Sequence, residues 1–280
     1  MRNAKVFIIL IGQNGVQPQG EEGQCAMGLF RKYNGRSVDG VVQQVELIAC
    51  TDAKGKGTKH ATFNGTLNGP GTTITLVDGD RVGIYLVGHY QDYREHKPAE
   101  IIEQVLEEHL DAAPKVQETV DGKQRNRRIR VTLDKVCLVL CEVARRTVKK
   151  STEVRTADQP IVVREVDEKE KAYKKRVDAD AKKFGAETSF LVDMCRNLAD
   201  RGYRPRIAGY VGMITVAGPM DETNGYVTRY RDVENNQLQL RVGQKTNNGD
   251  RDAAKLCFVY QPGKGYVQRD VAEWTDRPVV

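Results

Sequence analysis

Two side chains that could carry out nucleophilic catalysis each follow an apolar run of the sequence. His89 comes directly after RVGIYLVG, and Cys141 comes directly after VCLVL. Apolar runs of this kind are typical of strands that are buried on both faces. A thiol becomes a useful nucleophile near neutral pH when a base such as imidazole lies beside it. The two residues therefore predict acyl transfer, with Cys141 as the nucleophile and His89 as the base.

The chain between these residues has room for one crossover helix and a loop. Residues 98–110 carry apolar side chains on one face of a predicted helix, with Pro98 in its first turn. A right-handed crossover of this kind would make the two strands parallel and place them side by side. Ligands of such sheets bind at the carboxyl ends of the strands. We therefore expect the imidazole and the thiol to share one cleft.

Strand and helix patterns alternate along the chain and predict an α/β fold. The alternation favours a mostly parallel central sheet with helices on both faces. The predicted strands are 5–12, 41–50, 81–89, a run within 128–141, 206–216 and 255–260, with a small hairpin around 61–67. The predicted helices are 21–33, 98–110, 166–183 and 188–201. We expect a single domain over residues 1–280 that contains a charged insertion or linker at residues 142–186.

The composition indicates a folded, cytoplasmic protein. The longest apolar run, Val6–Ile11, is too short to span a bilayer and lacks the features of a signal peptide. The net charge of +6 is spread among acidic residues, and we expect neither a nucleic-acid partner nor a membrane span. The six cysteines are scattered through the chain, so we expect neither a disulfide framework nor a metal site.

Other residues are weaker candidates for chemistry. His96 also follows the third long strand and is a second candidate base, whereas His60 falls in a loop and His109 at the end of a helix. Cys137 is expected to be buried packing within its strand. A nucleotide site after the first strand is a third class of function, but GQNG lacks the glycine spacing of known phosphate-binding loops.

The segments VGIYLVGH and VCLVLC, with an amphipathic helix between them, resemble the caspase-like cysteine peptidases of clan CD. The stretch SFLVDMCRNLADRGYRPRIAGYVGMITVAG is similar to the autoprocessing cysteine protease domains of large bacterial toxins. The resemblance covers residues 82–260, with the charged insertion unmatched. It implies a caspase-like fold with a C-terminal hairpin, and a thiol protease that hydrolyses peptide bonds.

The resemblance assigns a role to each predicted site residue. It implies that His89 is the general base, that Cys141 is the nucleophile, and that the backbone N–H groups of Tyr90 and Cys141 form the oxyanion hole. It places the substrate pocket near Tyr210, Met213 and Asp221. Two positions depart from the family pattern. Tyr90 stands where bacterial members have glycine, and the acidic Glu142 follows the nucleophile.

The resemblance also implies a protein or peptide substrate and an activator. The chemistry itself needs no cofactor, but the toxin domains are switched on by inositol hexakisphosphate. Such a ligand needs several converging cations. The candidates in this chain are Arg204, Arg206, Arg229, Arg231 and Lys255. A bacterial effector delivered into a host cell is one expected setting. The alternative is a catalytically inactive, caspase-like interaction module that presents the insertion to a partner.

Overall fold

The structure is a computed structural model that divides into two compact units. The first comprises residues 1–134 with 221–226, and the second comprises 135–220 with 227–280. The described residues are 5–12, 26, 29–30, 33–35, 37–38, 40–51, 59–62, 73–88, 98–139, 147–149, 159–184, 186–188, 190–210, 213–215, 228–232, 237–242 and 255–269. No helix within these ranges has the length and apolar character needed to cross a membrane.

Among its described residues, the first unit contains one long helix and eight complete strands, and a ninth strand begins in it. Its elements are β1 (Lys5–Gly12), β2 (Ser37–Val38), β3 (Val41–Val42), β4 (Gln44–Thr51), β5 (Lys59–Thr62), β6 (Arg81–Val87), α1 (Pro98–Ala112), β7 (Val116–Val120), β8 (Lys123–Arg127) and the start of β9 (Thr132–Val139). The predicted first strand and the helix after β6 are confirmed.

The sheet of the first unit has β1 near its centre. Its strands follow the order β6-β1-β4-β5. Strand β1 pairs in parallel with β4 from Lys5 opposite Gln44, and with β6 from Lys5 opposite Val82. Strand β5 adds to β4 in the antiparallel direction. The side chains of Phe7, Ile8, Ile9 and Leu10 are fully buried, as expected for a central strand covered on both faces.

The first residues of β9 lie beside the first residues of β6. The backbone N–H of Thr132 donates to the carbonyl of Asp80 at 2.8 Å. The guanidinium of Arg81 forms an ion pair with the carboxylate of Asp134, with 2.6 Å between Nη2 and Oδ1. The two strands therefore start at the same edge of the first unit.

Helix α1 packs with an apolar face that its sequence spacing predicts. Pro98 lies at its first position, where the missing N–H costs no intrahelical hydrogen bond. The buried residues recur three or four positions apart, as for an amphipathic helix. They are Pro98, Ala99, Ile101, Ile102, Val105 and Leu106.

The described part of the second unit contains two helices and a sheet with mixed strand directions. Its elements are the remainder of β9, β10 (Thr147–Lys149), α2 (Glu170–Phe184), β11 (Ala186–Thr188), α3 (Phe190–Asp200), β12 (Arg206–Tyr210), β13 (Met213–Thr215), β14 (Thr228–Asp232), β15 (Gln237–Val242), β16 (Lys255–Gln261) and β17 (Gly265–Arg269). Strand β12 pairs in parallel with β9 and antiparallel with β16, which pairs antiparallel with β17.

The coarse α/β class is confirmed, but some predicted elements differ from the structure in their bounds. The expected single strand at 206–216 is two strands, because β12 joins the larger sheet whereas β13 pairs with β14 in a separate three-stranded sheet. Glycine weakens the interior of a strand, and Gly209 and Gly212 both fall in this stretch. Helix α2 begins at Glu170, four residues after the predicted start.

Candidate functional site

The predicted catalytic residues lie outside the described part of the chain. This holds for His89, Tyr90 and Cys141, for the pocket residue Asp221, and for the second candidate base, His96. Strand β6 ends at Val87, and the described residues continue to Gly88; β9 ends at Val139, which is the last described residue there. The dyad therefore stays a prediction. His89 is one residue beyond Gly88, and Cys141 is two residues beyond Val139.

Two further predicted pocket residues fall on strands whose backbone is described. Tyr210 is the last residue of β12, and Met213 is the first residue of β13. The structure describes the backbone of these two residues but not their side chains. The same holds for His60 in β5, whose backbone pairs with that of Cys50. The structure therefore gives these residues a place along the chain.

Three cysteines of the second unit lie inside its core as thiols. Cys137, Cys195 and Cys257 are each no more than 2% exposed. A thiol in such a position acts as a small apolar side chain. The expectation that Cys137 is a packing residue of its strand is confirmed.

The candidate polyphosphate ligand Arg204 is already engaged inside the second unit. Its Nη1 donates to the carbonyl of Ala199 at 2.6 Å, and its Nη2 donates to the carbonyl of Arg164 at 2.6 Å. Its guanidinium carbon also lies 5.2 Å from the centre of the Tyr260 ring. Arg229 and Arg231 lie on β14, with side chains outside the description. An anion at Arg204 would compete with these backbone contacts.

A polar cluster surrounds the Tyr260 ring. The Tyr260 hydroxyl donates to Glu165, and the Tyr266 ring meets the Tyr260 ring edge-on at 5.8 Å. Burial raises the pKa of Tyr266 well above its ordinary value, so its phenol stays protonated. Within the described residues, the Tyr266 hydroxyl, Glu165 Oε1 and Arg204 Nε are buried without a hydrogen-bond partner. The cluster links the segment before α2 to β16 and β17.

A carboxylate and an imidazole meet inside the first unit. Glu46, the third residue of β4, is 3% exposed, and its Oε2 lies 2.9 Å from Nε2 of His109 in the last turn of α1. The same oxygen accepts the backbone N–H of Ile74 at 2.7 Å. Nδ1 of His109 lies 2.7 Å from the carbonyl of Val105, and its ring meets Phe7 edge-on at 4.6 Å.

These contacts favour the protonated form of His109. The carbonyl of Val105 only accepts hydrogen bonds, so Nδ1 carries a hydrogen, and an ionised Glu46 requires a second hydrogen on Nε2. Burial lowers the pKa of His109, but the hydrogen bonds to Glu46 and Val105 and the charge of Glu46 outweigh burial and raise it above the ordinary 6.5. The contacts thus shift His109 towards its imidazolium form.

This pair forms part of the wall of a pocket, which we call the α1 pocket. Its volume is about 340 Å³, within the range of small-molecule sites. The lining residues are Glu46, Ile48, Thr73, Ile74, Thr75, Glu108, His109, Ala112 and Ala113. The pocket lies by the last turn of α1 and the third residue of β4. With Ile48 also in its lining, the pocket lies beside the middle of β4, whereas ligands of parallel sheets usually bind at the carboxyl ends of the strands.

Comparison with known proteins gives no family for this chain. No protein-family model matches the sequence, and no curated protein matches it. The candidate sites therefore depend on the residues themselves.

The sequence analysis placed His109 at a helix end but did not find its partner. Glu46 carried a signal, because it is a carboxylate within the run VVQQVELIAC that predicts a buried strand. A buried charge needs a partner, so an acidic residue in such a run indicates a buried ion pair or a functional group. The identity of that partner is not readable locally, because His109 is 63 residues further along.

Proposed function

We propose that the chain is a cysteine endopeptidase in which Cys141 attacks the peptide carbonyl and His89 acts as the general base. The observation that carries the proposal is that β6 and β9 start at the same edge of the first unit. Strands that are joined by a right-handed crossover run in parallel and end at the same edge of a sheet, so side chains that closely follow two such strands are expected close together. His89 and Cys141 each follow their strand by two residues.

The proposed reaction conserves protons between the two side chains. His89 accepts the proton of the Cys141 thiol, and the thiolate adds to the carbonyl carbon. The leaving amine takes the proton from His89 as the carbon–nitrogen bond breaks, which leaves a thioester on Cys141. Water, deprotonated by His89, then hydrolyses the thioester to a carboxylic acid. The backbone N–H groups of Tyr90 and Cys141 would stabilise the oxyanion in both steps.

The substrate is proposed to be a protein or peptide, recognised near Tyr210, Met213 and Asp221. Inositol hexakisphosphate is the proposed activator, and an effector delivered into a host cell is the proposed setting. Tyr90 and Glu142 are the two residues beside the proposed dyad that depart from the family pattern. A carboxylate at residue 142 would raise the pKa of the neighbouring thiol if both lay in a dry cleft.

The test measures the reactivity of each thiol with and without the proposed base. Wild-type protein and the His89→Ala variant are treated with iodoacetamide over a range of pH, and each cysteine is quantified by mass spectrometry. We expect Cys141 to be labelled near neutral pH at least ten times faster than Cys137, Cys195 and Cys257, because these three are buried. We expect this advantage to disappear in His89→Ala.

Peptide hydrolysis provides the second readout, with Cys137→Ala as the matched control. Cys141→Ala should abolish cleavage, whereas Cys137→Ala removes a strand thiol four residues away and should retain it, provided that circular dichroism shows both variants to be folded. Labelling of Cys141 no faster than the buried thiols, with no cleavage of any peptide, would favour the alternative of an inactive interaction module.

A further inference from the structure

The α1 pocket combines acidic groups with an apolar wall. Two carboxylates, Glu46 and Glu108, are among its nine lining residues, and His109 is the one cationic side chain among these nine. The side chains of Ile48, Ile74 and two alanines supply apolar surface. The Glu46–His109 pair is neutral when both groups are ionised, and Glu108, whose Oε1 accepts a hydrogen bond from Nε2 of Gln104 at 3.0 Å, adds a further acidic group to the lining.

The end of α1 adds to this negative field. The last carbonyl groups of an α-helix have no intrahelical partner, and the helix dipole places about half a negative charge there. Helix α1 ends at Ala112, which lines the pocket together with Ala113. Arg128 neutralises part of the same turn through Glu107 and Asp111, neither of which lines the pocket.

We propose that the α1 pocket binds a small organic ammonium ion, with the charged group near Glu46 and Glu108 and the apolar body against Ile48. The hydroxyl groups of Thr73 and Thr75 are further acceptors for the ammonium hydrogens. The volume of about 340 Å³ accommodates an organic body larger than an inorganic cation. The proposal is independent of the peptidase chemistry, which uses none of these residues.

Binding of a cation at Glu46 is coupled to the proton on His109. Both positive charges interact with the same carboxylate, so each weakens the binding of the other, and this coupling is reciprocal. Among the described residues, the charged groups that act on His109 are Glu46 on β4 and Glu108 on its own helix. Affinity for the ammonium ion should therefore increase as the pH rises and His109 loses its proton.

Three probes with nearly the same body and different charge test the proposal. The imidazole signals of His109, assigned by comparison with a His109→Gln spectrum, are followed by NMR during titration with 2-phenylethylammonium, 2-phenylethanol or 3-phenylpropanoate. We expect saturable shifts with the ammonium ion, weaker binding of the alcohol and no binding of the carboxylate. We also expect a lower dissociation constant for the ammonium ion at pH 8.5 than at pH 6.

Variants of the pocket separate specific binding from a surface charge effect. Glu108→Gln should raise the dissociation constant of the ammonium ion by about five-fold, the effect expected from the loss of one partly exposed charge contact. Glu103→Gln removes a carboxylate of the same helix that does not line the pocket, and it should leave the affinity unchanged. No saturable shift with the ammonium ion, equal shifts with the carboxylate, or equal effects of the two variants would overturn the proposal.

Discussion

Replacing Gly265 with alanine tests how the segment before α2 is fixed to the sheet of the second unit. Gly265 begins β17 with a φ of +95°, and a Cβ atom added to it would lie 2.3 Å from the backbone oxygen of Ile161. That oxygen accepts a hydrogen bond from the N–H of Tyr266 at 3.0 Å, and the N–H of Ile161 donates to the carbonyl of Tyr266 at 2.7 Å. A methyl group therefore fits only if Ile161 moves away from Tyr266.

The expected loss of stability follows from these contacts. A left-handed backbone costs an L-residue about 1–2 kcal/mol, and each backbone hydrogen bond that is lost costs about 1 kcal/mol. Gly265→Ala should therefore lower the free energy of unfolding by about 3–4 kcal/mol. Gly263 is the matched control, because its φ is +74° and no atom lies within 4 Å of an added Cβ. Gly263→Ala should cost only the backbone contribution of about 1–2 kcal/mol.

Urea unfolding followed by far-UV circular dichroism measures both variants under the same conditions. The reasoning predicts that Gly265→Ala is less stable than Gly263→Ala by about 2 kcal/mol, which corresponds to the two hydrogen bonds. It also predicts faster hydrogen exchange at the amides of Ile161 and Tyr266 in Gly265→Ala alone. Equal losses of stability in the two variants would refute the close contact between Gly265 and Ile161.

Two further perturbations test the buried polar contacts. His109→Gln should destabilise the protein more at pH 6 than at pH 9, because a pKa raised in the folded state gives stability that is present at low pH and is lost as the pH rises through the folded pKa. Urea midpoints of both proteins across this range measure the difference, and a constant difference would contradict the ion pair. Arg204→Lys should lower stability by about 1–2 kcal/mol, because one ammonium cannot reach the carbonyls of Ala199 and Arg164 together. Thermal unfolding should show a smaller loss for Arg201→Lys, because the hydrogen bond from Arg201 to the carbonyl of Asn197 is exposed to solvent, and an equal loss would contradict the argument.

Elements whose signal is local could be predicted from the sequence. Strand β1 is a run of apolar residues that pairs with a strand on each side, and such a run predicts a buried strand. Helix α1 carries its apolar residues at helical spacing, and that spacing predicts a helix. The β7–β8 hairpin was missed although its signal is present. Asp121 and Gly122 join the two strands with positive φ angles of 52° and 73°, as an Asp-Gly hairpin turn requires.

Features that depend on distant residues could not be predicted in the same way. Ile161 and Val163 are buried, although they fall in the stretch that the sequence analysis treated as a charged insertion or linker. Ile161 is held by Tyr266, more than a hundred residues away, and no local pattern carries that pairing. The α1 pocket likewise combines β4, the segment 73–75 and the end of α1. For the dyad, the spacing of two apolar runs around a helix pattern predicts proximity, but His89 and Cys141 themselves lie outside the described residues.

The most direct test of the peptidase proposal is covalent capture of the nucleophile. The purified full chain is incubated with a library of peptidyl acyloxymethyl ketones, with and without inositol hexakisphosphate, and any adduct is mapped by mass spectrometry. The proposal predicts an adduct on Cys141 that is absent in His89→Ala and retained in Cys137→Ala. No adduct on Cys141 from a folded sample under either condition, or an adduct that persists in His89→Ala, would contradict the proposed dyad.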